Sequence, residues 1–509
     1  MTRSFRPDLA VAAFVLACSV LVTQLGGLGR EVIDPDESTF ILMGADVARG
    51  HLPFVTQFDL KPPMIFFLIG GTLAAFGKSI AAVRLLGDAL LLGTALITFL
   101  LTRRVTSDWA ALGGALLYVC FASLELGQPT YSELPALFFG MGGLLALACS
   151  PVTLGRAALA GLLMSLAVLS RSNLYPLPLV SGLLLLGVAV RKDPQVKMAA
   201  WLTFGLGGLI PVALLIFAYA RAGQLAVLKL AMIDVPLVYA QQVGIAEAVL
   251  DNLQQLYVIT TMQPMIVAPF VAAAATGWTV IGARLLYPAS QVERWTLGLI
   301  TLAALAVVFS LVTSGAVYPH YWLQLLPLLA IACAAALDFA ASLRFGRWMA
   351  VSLVALPLGS AFVRTMPQAL QVATAQYHQA EPFDIATAAR HIERSGVTNP
   401  TVWAWRKQLI GWYLDSPQLS KAGVQPENIA RPAIAGPLAA HGYISKDEVS
   451  RLLDMEPDFV VTDAAGIGSS WMRATGRPTD AWLAARYRLD QRFGDVLVYR
   501  RINALSQSR

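Results

Sequence analysis

The sequence predicts an all-α polytopic membrane protein that ends in a small α/β domain outside the bilayer. Three observations predict it. Of 509 residues, 57% are hydrophobic and 13% charged, where an ordinary soluble chain carries about 25% charged residues. Apolar runs long enough to cross a bilayer as helices, about 17–25 residues, recur from Val11 to Val363. Past Val363 the charge density returns to that of a soluble domain. A closed barrel would read as short alternating segments, which this chain lacks.

The N-terminal stretch sets Arg3 and Arg6 ahead of a long apolar run. A signal peptide begins in the same way, but no small-x-small cleavage site precedes Gly29, so a retained first helix is expected over 8–27. Further spans are expected over 80–102, 109–124, 133–150, 157–170, 173–190, 199–219, 262–282, 295–312, 322–340 and 347–363. The run 62–77 has about 16 residues, marginal for a crossing. Charge decides its role. With Arg3 and Arg6 in the cytoplasm, a non-crossing 62–77 puts Arg103, Arg104, Arg156, Arg191, Lys192, Lys197, Arg284, Arg294, Arg344 and Arg347 all inside. A crossing 62–77 would put every one outside. The run is therefore expected to be a re-entrant or interfacial helix on the outer side, leaving about eleven crossings.

Two domains follow: a transmembrane domain over 1–363, with a first extracytoplasmic loop over 31–63, and an extracytoplasmic α/β domain over 364–509. In the latter, Ile385–Gly396 reads as a helix, TVWAW as a strand, Lys446–Met455 as a helix capped near Ser445, and Asp458–Thr462 and Asp495–Tyr499 as buried strands. Cys18, Cys120, Cys149 and Cys333 fall in or beside apolar runs and read as free core thiols. The net charge of +6 fits cytoplasmic loop cations and not a nucleic-acid partner.

The stretch 31–63 holds the densest chemistry. It opens on Asp34, Asp36 and Glu37 and closes on Lys61-Pro62-Pro63. A carboxylate before a helix over 38–50 can cap it, can act as a general base toward a hydroxyl, or can join neighbours on a divalent metal. Lys61 is either an interfacial lysine or a cation held rigidly by two prolines to meet a phosphate. Other polar residues expected on the outer face are Asp59, Arg84, Glu133, Arg171, Arg221 and His320. Glu133, in TYSELP, can be first-turn helix chemistry behind a Ser132 cap or a second carboxylate. Arg171 can be an interface anchor or a phosphate clamp. His320 can contact a metal or a phosphate, whereas its neighbours Tyr318, Tyr321 and Trp322 read as an interfacial belt. These side chains are expected to converge in one cavity. No GxxxxGK[ST], HExxH or GxSxG signature accompanies them.

The set of stretches resembles the GT-C glycosyltransferases, in the branch of protein O-mannosyltransferases and the lipid A aminoarabinose transferase. It comprises Asp36-Glu37, Asp59-Leu-Lys61-Pro-Pro-Met, AAVRLLGDALL with Arg84, TYSELP with Glu133, AGLLMSLAVLSRSN with Arg171, and HYWLQLLPLLA with His320. The resemblance covers about residues 30–335. It implies a GT-C-like fold and a plasma-membrane hexosyl- or pentosyltransferase. The donor would be a polyprenyl-phosphate-linked sugar, transferred with inversion on the non-cytoplasmic face to a glycolipid, polysaccharide or protein hydroxyl. Asp36 would be the base and Glu133 the second acidic residue, at a position where the family more often has Asp. Lys61, Arg171, Arg84 and His320 would bind the donor phosphate. Glu37 and Asp59 would be candidate metal ligands, although Leu60 stands where lipid-A-type enzymes have Glu. The rival readings are a transporter or flippase for a lipid-linked or anionic sugar, and a scaffold whose outer domain binds cell-wall partners.

Overall fold

Every span read from the sequence is met by a helix. The computed structural model describes residues 8–123, 128–191, 196–242, 244–314, 318–343, 346–377, 383–468 and 470–502. Arg3, Arg6, Lys192 and Arg344 lie outside the described residues. In chain order the helices are α1 (Leu9–Leu28), α2 (Pro35–Ala48), α3 (Met64–Phe76), α4 (Ile80–Thr102), α5 (Asp108–Ala122) and α6 (Glu133–Ala148). There follow α7 (Leu154–Ser170), α8 (Pro176–Val190), α9 (Met198–Arg221), α10 (Leu225–Lys229), α11 (Val235–Ala240) and α12 (Ile245–Met262). The series ends with α13 (Pro264–Leu286), α14 (Gln291–Val312), α15 (Leu326–Ala341) and α16 (Gly346–Tyr377). Helices α10 to α12 were not expected. Pro236 and the polar residues between Gln241 and Gln255 interrupt the apolar pattern that would have announced them.

By contacts the chain forms two units, each discontinuous in sequence. The first gathers Met1–Leu28, Arg84–Ala218 and Val243–Ala369; the second gathers Gly29–Val83, Tyr219–Gln242 and Leu370–Arg509. Thus the 31–63 stretch packs with the C-terminal residues, which the sequence boundary at 363 does not suggest.

The first unit is a helical bundle. Among the described residues, six helices of the chain are long and apolar enough to cross a membrane by length and composition, and several shorter apolar helices accompany them. Small residues bring backbones together, as is usual between membrane helices. A Cβ on Gly277 of α13 would lie 1.7 Å from the Ala332 carbonyl of α15. Hydrogen bonds sort the helix ends into two sets. At one end, Arg284 donates to the Val105 carbonyl at 2.5 Å, Trp295 to the Leu147 carbonyl at 2.8 Å, and the Ser107 N–H to Asp338 at 3.3 Å. At the other, Gln24 accepts from the Gln128 N–H at 2.7 Å, and Asn173 donates to Ser310 and Gln324 at 2.9 and 3.0 Å. Arg103 and Arg284 therefore share one end, as the charge alternation requires. Cys120 and Cys333 are buried, but Cys18 is exposed on α1, so that thiol is not a core one.

The second unit is built on a helical hairpin and a sheet. Helix α3 has 13 residues; at 1.5 Å each this is about 20 Å, short of the roughly 30 Å hydrocarbon core. It packs against α2 through glycines. A Cβ on Gly44 would lie 2.5 Å from Ile69, and one on Gly70 would lie 2.6 Å from Val47. The sheet has the order β1 (Val402–Ala404), β2 (Phe459–Thr462), β4 (Val496–Arg501), β3 (Tyr487–Phe493). The first pair is parallel and the others antiparallel. All but β3 were expected. That strand lies at the edge with mostly exposed residues, so it carries no apolar alternation to read. The helix expected over 446–455 is Glu448–Met455, and Asp447, not Ser445, is its cap, accepting from the Ser450 N–H at 3.0 Å.

Candidate functional site

In the second unit the acidic motif starts α2. Asp34 is the N-cap, its carboxylate accepting the Asp36 N–H at 2.8 Å, and Pro35 takes the first helical position. Capping therefore falls to Asp34 and leaves the Asp36 carboxylate for other contacts. Asp36 Oδ2 lies 3.3 Å from Lys61 Nζ, each side chain 17% exposed. Asp36 Oδ1 accepts from Gln425 Nε2 at 3.2 Å. Asp59 accepts the Lys61 backbone N–H at 3.1 Å, and Pro62 keeps Lys61 out of helical conformation. Burial pushes the Asp59 carboxyl above its ordinary value; the Lys61 charge opposes this and the Asp36 charge adds to it.

The loop that delivers Lys61 is tightly held. Asp46 accepts from Thr56 and, at 3.1 Å, from Arg49. Phe54 takes a left-handed φ of 67°, a strained geometry for an aromatic residue. Its buried ring packs on Phe58 and Phe66, with centroids 6.3 and 5.8 Å away. Tyr219 and Tyr443 donate their hydroxyls to the Pro53 and Phe54 carbonyls, each at 2.5 Å. Burial pushes the Tyr443 hydroxyl up, so it stays a donor at neutral pH. The C-terminal domain grips the same region. The Phe58 N–H donates to the Lys421 carbonyl at 2.6 Å, Gln408 to the Pro35 carbonyl at 3.2 Å, and Glu31 accepts the Ile385 and Ala386 N–H groups at 2.8 Å.

The first unit holds a second cluster. Glu133 is the first residue of α6, and its Oε1 lies 3.2 Å from Arg171 NH2, the side chains being 1% and 5% exposed. Ser132 does not cap the helix; its hydroxyl donates to Glu133 Oε2 at 3.2 Å. His320 Nε2 is 3.8 Å from Glu133 Oε1. Two of the aromatics expected as an interfacial belt, Tyr318 and Tyr321, pack on these groups. The Tyr321 ring lies under Arg171, 4.3 Å from ring centroid to guanidinium carbon. Tyr131 and Tyr318 stack against the His320 ring at 4.7 and 5.6 Å. Tyr131 went unremarked in the sequence, although it sits two residues before Glu133. Arg84 is 2% exposed, and its guanidinium donates to the Gly27 carbonyl. Arg221 is exposed at the end of α9, in the second unit.

The expected site residues thus form two groups: Asp36, Lys61 and Asp59 in the second unit, and Glu133, Arg171 and His320 in the first. Glu37 is buried in the first turn of α2. As metal ligands, Glu37 and Asp59 fit poorly. Among the described residues no three His, Cys, Asp or Glu side chains come together as a metal site, whereas a hard divalent cation takes about six oxygen ligands.

No family model matches the chain, and no curated protein matches it. Solved structures do. The crystal structure of ArnT from Cupriavidus metallidurans bound to undecaprenyl phosphate is similar over 96% of this chain and 97% of that one, with a TM-score of 0.57 at 13% identity. The Archaeoglobus fulgidus oligosaccharyltransferase, solved in complex with Zn and sulfate, is similar over 89% of this chain and 68% of that one, with a TM-score of 0.50 at 13% identity. Both are GT-C superfamily glycosyltransferases, and the chain has the GT-C fold.

Proposed function

We propose that this chain is a membrane glycosyltransferase that moves a sugar from a polyprenyl-phosphate donor to an acceptor hydroxyl, with inversion, on the non-cytoplasmic face. The observation that carries the reading is the likeness, over nearly the whole of both chains, to a transferase bound to undecaprenyl phosphate. The pairing of Asp36 with Lys61 on a braced loop supplies the chemistry. Asp36 takes the proton of the acceptor hydroxyl as its oxygen attacks the anomeric carbon. The bond from that carbon to the phosphate oxygen breaks on the opposite face, and the polyprenyl phosphate leaves with the electron pair. Lys61 stabilises the charge that grows on it. Lys61 exchanges its contact with Asp36 for the donor phosphate, which leaves that carboxylate to receive the proton. Within the first unit, Glu133 holds Arg171 and His320 in place. We assign Arg84, expected as a phosphate ligand, to tying α1 to α4 through Gly27. The C-terminal domain lies outside the cytoplasm, with about eleven crossings before it.

The test is transfer in membranes supplied with radiolabelled polyprenyl-phosphate sugars. Asp36→Asn and Lys61→Ala should abolish transfer at unchanged protein level; full activity in both defeats the site assignment. Translocation of the lipid in liposomes without sugar transfer would establish the flippase in place of the enzyme.

A further inference from the structure

We infer that Gln425, in the C-terminal domain, is a positioning residue that orients the Asp36 carboxylate. The inference rests on the reading of Asp36 as the base and adds a residue to it. A carboxylate only accepts hydrogen bonds, so the Gln425 amide presents its NH2 to Asp36 and its oxygen to Thr39. The distances are 3.2 Å from Gln425 Nε2 to Asp36 Oδ1 and 3.0 Å from Thr39 Oγ1 to Gln425 Oε1. With Oδ1 engaged, Oδ2 is the oxygen turned toward Lys61 at 3.3 Å.

The chain around Gln425 is built to hold still. Pro426 restricts Gln425 to extended backbone, found at φ −112° and ψ 96°, and starts a tight helical turn over Pro426–Ile429. The turn is clamped by Glu427 and Arg431 at 2.6 Å. The preceding residues grip both arms of the acidic loop. The Val424 carbonyl lies 2.9 Å from the Thr39 hydroxyl on α2, and the Lys421 carbonyl accepts the Phe58 N–H just ahead of Asp59 and Lys61. One strap, 421–425, therefore touches the helix that carries Asp36 and the loop that carries Lys61. Its side-chain contact with the proposed base is made by the Gln425 amide.

The experiment measures kcat and KM for the donor across pH, in membranes holding the full chain. The donor is whichever member of a panel of radiolabelled undecaprenyl-phosphate sugars supports wild-type transfer. Gln425→Met keeps the size and removes the hydrogen bonds; kcat should fall about tenfold or more with donor KM nearly unchanged. Gln425→Glu keeps the size and the Thr39 contact but sets a second carboxylate against Asp36. The acid limb of the kcat/KM profile should then move up by about one pH unit. That shift is what a merely structural glutamine would not produce. If Gln425→Met lowers the protein level, Gln425→Glu carries the test alone. The inference is overturned if Asp36→Asn is inactive while Gln425→Glu leaves the acid limb in place, or Gln425→Met keeps full kcat at normal level. Should Asp36→Asn itself remain active, the reading of the base fails first and Gln425 has nothing to orient.

Discussion

The Lys61–Asp36 and Arg171–Glu133 pairs have the same reach, 3.3 and 3.2 Å, and opposite surroundings. The first stands partly open on a loop between short helices of the second unit. The second is sealed at the ends of α6 and α7 in the first unit, with Arg171 over an aromatic ring. An ion pair that keeps contact with solvent adds little stability, so its members can change partners. A sealed pair cannot lose one member without stranding a buried charge. The open pair is therefore suited to exchange contacts during a reaction, and the sealed pair to hold a fixed geometry.

Five changes break or sharpen that contrast. The largest effect is expected from Asp36→Asn, which should lower transfer by about 10²–10⁴-fold and leave the detergent-solubilised thermal midpoint where it was. A fall in the midpoint would put this pair in the same class as the buried one. Next, Arg171→Met should destabilise the protein by about 3–5 kcal/mol in denaturant unfolding, and adding Glu133→Leu should restore part of it. Unchanged unfolding of Arg171→Met would show that the pair is hydrated after all. Third, Gly70→Val forces a side chain into the α2–α3 contact and should cost about 1–3 kcal/mol, with a loss of transfer because that contact carries both Asp36 and Lys61.

The fourth change uses pH within the second unit. Burial pushes the Glu448 carboxyl up, but hydrogen bonds from Arg451, Ser420 and the Ser445 N–H and the Arg451 charge hold it below its ordinary value. Such a group contributes stability above its unfolded value and loses it as the pH falls through the folded one. Asp59 has the opposite sign: raised by burial, it favours the fold at low pH and withdraws that support as pH rises through its folded value. Glu448→Gln should therefore flatten the acid side of a midpoint-against-pH curve, and Asp59→Asn the rise-in-pH side above the ordinary carboxylate range. The smallest effect is expected from Arg477→Ala. Its pair with Asp447 is about half exposed on both sides, and the change should stay within about 1 kcal/mol and shrink further in salt.

Much of this was legible from residue patterns, and the failures have causes. Long apolar runs announced α4, α9, α13 and α14 because a lipid-facing helix needs no polar stripe. Phe459–Thr462 was legible because all its residues are buried, and Val496–Arg501 because the buried Val496 and Val498 alternate with half-buried neighbours. Edge strand Tyr487–Phe493 and the broken helices after Arg221 were not, since neither presents a continuous apolar face. The contacts of Tyr318 and Tyr321 were not legible, because an aromatic at a helix end looks the same whether it meets lipid headgroups or a guanidinium.

The sequence by itself determined the membrane class, the break in composition near Val363 and the chemistry-bearing residue types, because hydropathy and charge are local properties of the chain. Only the tertiary structure decided which charge meets which. It gave the cap to Asp34, joined Asp36 to Lys61 and Glu133 to Arg171, and brought Gln425 to Asp36 across 389 positions of sequence. Partnership between distant side chains depends on how the elements within each unit pack, and no periodicity encodes that.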